Sequence, residues 1–176
     1  MMKKISARFI TRCAVIAALY CAVSLAMAPL SFGAVQLRAA EALAILPVFG
    51  TAGVWGVTLG CLITNACGAA TGANILGAAD IVFGTAATLA AALLSRRWGN
   101  FRIKGLPALS ALPPVLINAA VIGAELTFAE TGGFPAPLLA LNMAQVGAGQ
   151  AVSCIIAGLT LFHAVQRVFP SGFPDD

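Results

Sequence analysis

Between Glu41 and Asp80 the chain runs from Ala42 to Ala79 without a charged side chain. That is 38 residues, too long for one bilayer span of about 20 and enough for most of two, with a turn at GTAG near Gly50. The rest of the sequence has the same character. Charged residues make up 9% of the 176 and hydrophobic ones 60%, with a mean hydropathy of +0.97. Soluble domains carry about 25% charged residues, so this chain lacks the material for a water-facing surface. One membrane-embedded domain over residues 1–176 is expected, with no room for a soluble catalytic module.

Six apolar segments can be placed, at about residues 9–28, 39–50, 52–69, 74–95, 106–129 and 137–168. The expected fold is therefore an all-α integral membrane protein of six transmembrane helices. The second segment is short, and Pro113–Pro114 should bend the first half of the fifth. Lys3, Lys4, Arg8 and Arg12 ahead of an apolar run ending AMAPLS resemble a secretory leader, but a helix from Phe9 has spanning length, and the retained helix is the reading adopted. With the N-terminus in the cytoplasm, nine of the ten cations fall on the inner side: those four, then Arg96, Arg97, Arg102, Lys104 and Arg167. This satisfies the positive-inside rule, places both termini of a multi-pass cell-membrane protein in the cytoplasm, and argues against nucleic acid as partner. Arg38 is the exception.

The same topology gathers polar residues at one depth. Glu41, Asp80 and Glu125 fall at or near outer helix ends, joined by Asn65, Asn142 and Gln145, with Asn118 deeper in the fifth segment. Intramembrane ionisable groups are costly unless they face a cavity or a partner. Five segments contributing at one level point to an outward-facing polar pocket, with the Arg38–Glu41 pair as one wall. The alternatives are an i,i+3 pair at a helix start and polar glue between helices.

Enzyme motifs are missing: there is no HExxH, GxSxG or Walker pattern, and GAGQ at Gly147 lies within a helix rather than after a strand. His163 sits near the cytoplasmic end of the last segment. The five cysteines lie within apolar segments without a CxxC and read as small core residues, so no metal or cofactor is expected. Ala14, Ala18, Ala22 and Ala26 recur every fourth residue of the first segment, a small-residue stripe on which another helix could pack closely.

SFGAVQLRAAEALAILP, DIVFGTAATLAA, LPPVLINAAVIGAEL and the run from Asn142 resemble the QueT family, the substrate-binding S components of energy-coupling-factor (ECF) transporters assigned to queuosine precursors. The resemblance covers nearly the whole chain. It departs at Gly149–Gln150, where the family has Gly-Glu. It implies a six-helix S-component bundle with a ligand site near the outer face, covered by the first loop and the loop after the third helix. It also implies docking of Ala14, Ala18 and Ala22 on a transmembrane coupling subunit, with two ATPase subunits supplying ATP hydrolysis. A queuosine precursor is a 7-deazaguanine, whose N1–H and exocyclic amine suit a carboxylate and whose carbonyl suits an Arg or amide donor. Glu41, Asp80 and Glu125 supply acids, and Gln36, Arg38, Asn118 and Asn142 supply donors. Which acid meets which edge stays open, as do an S component for another vitamin, a small membrane enzyme using Asp80 or Glu125 as base, and a purely structural role.

Overall fold

The computed structural model describes residues 6–28 and 38–173. Helix α1, Ala7–Ala26, begins at Ser6, whose hydroxyl accepts from the Phe9 amide at 3.1 Å and so satisfies one of the first-turn donors. It packs along α3, Thr51–Ala70, through two glycines one turn apart. A Cβ on Gly56 would come within 2.6 Å of Ile16 Cβ, and one on Gly60 within 2.6 Å of Tyr20 Cβ. This Gly-xxx-Gly face brings the two backbones together where lipid offers no hydrophobic driving force.

The second segment departs from expectation. Ala39–Phe49, labelled α2 for its place in the order, is an eleven-residue 3-10 helix rather than an α-helix. Runs longer than three or four residues are uncommon in this geometry, which rises about 2.0 Å per residue, so α2 reaches about 22 Å where an α-helix would reach about 16 Å. Seven of its eleven residues are buried, because it stands amid α1, α3, α4 and the end of the last helix. An element apolar on every side belongs in such a centre. Among the described residues, five helices besides α2 have the length and composition to cross a membrane: Ala7–Ala26, Thr51–Thr71, Ala78–Trp98, Ala108–Thr131 and Ala136–Val168.

Helix α4 spans Ala78–Trp98, and α5 spans Leu112–Thr131. Pro113 and Pro114 fall in the first turn of α5, where their missing N–H groups have no intrahelical acceptor to lose, so they start the helix instead of bending it. The last segment is α6, Ala136–Ala151, a π-helical turn at Val152–Ala157, and α7, Gly158–Val168. Large side chains such as Val15, Trp55, Val82, Leu116 and Ile156 point outward, as in a lipid-facing belt.

The two ends of the bundle differ. At one, Arg12 and Arg102 lie against an aromatic seam. Phe49 stacks with Phe162 at 5.2 Å and with Phe173 at 5.7 Å, and the Phe173 amide donates to the Phe49 carbonyl at 2.7 Å. Arg102 lies over the Phe162 ring at 4.7 Å and Arg12 over Phe173 at 5.8 Å. The opposite end carries Glu41, Asp80 and Glu130, and there the polar residues meet.

Candidate functional site

Asp80 is the hub. It occupies the first turn of α4, where the helix dipole favours an anion, and it is fully buried. Its Oδ2 accepts from Arg38 Nη2 at 2.7 Å and from Asn74 Nδ2 at 2.8 Å, while its main-chain carbonyl accepts from Asn65 Nδ2 at 2.8 Å. Asn74 is fixed in turn, since its Oδ1 accepts from the Leu76 amide at 3.0 Å. Gly84 makes the arrangement possible: a Cβ there would overlap Asp80 Oδ1 and come within 3.0 Å of Asn65 Nδ2. Below this level Cys61 extends the seam between α3 and α4, with Thr88 Oγ1 at 3.2 Å and Asn65 Nδ2 at 3.4 Å from its sulfur.

Arg38 and Glu41 are neighbours but not partners through their side chains. Arg38 caps α2 in a non-helical conformation, φ −85° and ψ 89°, so the i,i+3 geometry of a helix face does not apply between them. The Arg38 guanidinium turns to Asp80, and Glu41 Oε1 accepts instead from the Tyr20 hydroxyl at 2.6 Å, a short charge-assisted bond. Glu41 Oε2 is buried without a hydrogen-bond partner among the described residues. The main-chain carbonyl of Glu41 lies 3.6 Å from Cys154 Sγ, which is also 3.4 Å from Gln150 Oε1, so the last helix reaches the back of the same residue.

Helix α5 adds the third acid. Glu125 has both carboxylate oxygens buried and unpartnered among the described residues, and it interacts electrostatically with Asp80 and Arg38. Seven residues earlier, on the same face of α5, Asn118 is 1% exposed and its Nδ2 is likewise buried and unpartnered. Asn142 is used differently, donating from Nδ2 to Thr127 Oγ1 at 3.2 Å across the α5–α6 contact where Gly123 meets Met143. Gln145 is partly exposed one turn further along α6, and Gln36 lies outside the described residues.

Arg38, Glu41, Asn65, Asp80 and Glu125 are thus brought to one level, joined by Tyr20 and Asn74, which sequence reasoning did not single out. Tyr20 had a signal, being the only tyrosine in the chain and lying inside an apolar helix. Asn74 had none, because its role depends on the loop before α4. Away from this cluster, Ala14, Ala18 and Ala22 are exposed and line a shallow apolar groove of about 580 Å3 flanked by Leu59 and Ile63 of α3.

Compared with known proteins, the sequence matches the family model described as QueT transporter over residues 10–167. No curated protein and no solved structure matches it.

Proposed function

Given that the chain belongs to the QueT transporter family, whose model covers most of its length, we propose that it is the substrate-binding S component of an ECF-type importer for a queuosine precursor. The observation that carries this reading is the set of buried polar atoms that find no hydrogen-bond partner among the described residues: Glu41 Oε2 and both oxygens of Glu125 at the acidic end, and Asn118 Nδ2 deeper along α5. Unsatisfied buried groups are expensive and persist where a ligand completes them. A 7-deazaguanine offers matching chemistry, with its N1–H and exocyclic amine directed at the Glu41 carboxylate and its carbonyl oxygen at an amide or guanidinium donor. Tyr20 holds Glu41 in place through Oε1 and leaves Oε2 to the ligand, while Asp80 and Asn74 steady Arg38 beside it. Gln36, Asn65, Asn142 and Gln145 remain candidate contacts or supports.

The chain supplies recognition. Energy comes from two separate ATPase subunits acting through a transmembrane coupling subunit that docks on the Ala14–Ala18–Ala22 stripe. The substrate is captured outside and released inside after the bundle topples within the complex. In this reading α2 counts as a sixth, shortened crossing, which returns both termini and the loop from Arg96 to Lys104 to the cytoplasm.

Titration of the purified protein with a 7-deazaguanine tests the proposal. Glu41→Gln keeps the acceptor for Tyr20 but turns the other carboxylate oxygen into a donor facing the donor edge of the ring. Hydrogen bonds to charged groups contribute roughly 1.5–3 kcal/mol, so affinity should fall about ten- to a hundred-fold in a variant that melts normally. Equal affinity would move the ligand away from Glu41. Topology is tested separately, by labelling a single cysteine at position 100 in a cysteine-free background. An impermeant reagent should fail to reach it from outside intact cells, and efficient labelling would reverse the orientation.

A further inference from the structure

The three carboxyl groups at the acidic end are not equivalent. Asp80 is committed in charge: Oδ2 already accepts from Arg38 and Asn74, and Oδ1, although buried without a hydrogen-bond partner among the described residues, sits against Gly84, where there is no space even for a methyl group. Glu41 is half committed, with Tyr20 on Oε1. Glu125 alone has two buried oxygens that receive nothing from the described residues. Charge follows the same order. Arg38 is the one cation among the described residues of this cluster, and it is bound at 2.7 Å to Asp80, which leaves Glu41 and Glu125 with no ion pair of their own among the described residues. Tyr20 donates a hydrogen bond to Glu41 but no charge. The buried amide of Asn118, on the Glu125 face of α5, adds an unmatched N–H donor from a different kind of group. The unpartnered acid oxygens are therefore rich in acceptors and negative charge, with the Asn118 amide about 10 Å further along α5. A ligand that completes them is rich in donors and carries positive charge.

Building on the reading of the chain as a deazaguanine receptor, we propose that Glu125 is its charge-selecting residue: the carboxylate receives an ammonium group borne on the ring, so that cationic, amine-bearing deazaguanines are bound in preference to neutral ones of the same shape. A neutral substituent leaves the Glu125 carboxylate buried and uncompensated, and an anionic one adds repulsion. Division of labour follows. Glu41 and its Tyr20 support read the ring edge common to all deazaguanines, whereas Glu125 distinguishes among substituents.

Two compounds of similar size separate these roles, 7-aminomethyl-7-deazaguanine, protonated at neutral pH, and the uncharged 7-cyano-7-deazaguanine. Wild-type protein should bind the aminomethyl compound at least about ten-fold more tightly, the difference one charged hydrogen bond makes. Glu125→Gln should bring the two affinities to within about two- to three-fold of each other, and Glu125→Asp, which keeps the charge, should retain part of the preference. The ligand-free Glu125→Gln protein should melt no lower than wild type, because the carboxylate makes no internal hydrogen bond to lose. A preference that survives Glu125→Gln, or a Glu125→Gln protein that unfolds well below wild type, overturns the assignment. Equal binding of the two compounds by wild type overturns it while leaving the receptor function intact. Binding of neither compound by wild type overturns both.

Discussion

Arg38→Met should destabilise the ligand-free protein by about 3 kcal/mol or more, as should Asp80→Asn, while the double variant should regain most of that loss. The reason is burial. Arg38 and Asp80 lie 2.7 Å apart, with side chains 5% and 0% exposed. Removing either partner leaves a full charge in a medium that cannot solvate it, and breaking a buried pair in this way typically costs about 3–5 kcal/mol. Removing both charges eliminates the penalty, and an asparagine at position 80 still offers an oxygen to Asn74. Unfolding of the four proteins in detergent micelles gives a double-mutant cycle, whose coupling should be about 2 kcal/mol or larger. Costs that simply add would mean that the two side chains are each solvated or held by other groups. Because all four proteins are compared without ligand, the outcome bears on architecture independently of what the site binds.

On the proposed S-component reading, replacement of Ala18 by tryptophan should abolish assembly with a coupling subunit, and transport with it, while leaving ligand binding by the isolated chain within about two-fold of wild type. Ala18 is exposed in the groove that α1 forms with Leu59 and Ile63. Two helices that meet through alanines approach so closely that one indole at the centre of the seam separates them. Tyr20, which supports Glu41, lies only two residues on but about 200° further round the helix, so the substitution faces away from the polar cluster. Co-purification of the reconstituted complex reads assembly, and titration of the chain alone reads binding. If the Ala18→Trp protein assembles at wild-type levels, the stripe reflects an alanine-rich composition and the docking surface lies elsewhere. Loss of both assembly and binding would instead point to a misfolded α1.

The uncharged run from Ala42 to Ala79, the placing of cations beside apolar segments, and the recurrence of alanine at 14, 18 and 22 were enough to infer a helical membrane bundle and a small-residue stripe on its first helix. These follow from hydrophobicity and helical periodicity, which are local and additive along the chain. Grouping Glu41, Asp80 and Glu125 uses the same kind of reasoning, since depth in a bilayer is counted in residues from a helix end. Partners were not legible in this way. Proximity in sequence suggested Arg38 with Glu41, yet Arg38 binds Asp80, 42 residues away, and Glu41 binds Tyr20, 21 residues away. The choice depends on how α2 is wound and on which helices surround it. Its eleven-residue 3-10 geometry goes with Pro47 inside the segment, whose missing N–H removes an α-helical bond, and with packing between α1, α3 and α4. Likewise, Gly84 reads in sequence as one more small residue in a bilayer helix, and Asn74 as the start of that helix. Only the folded bundle makes the first the space for a carboxylate and the second its donor, because a hydrogen bond is decided by direction and distance in three dimensions, which hydropathy along the chain does not encode.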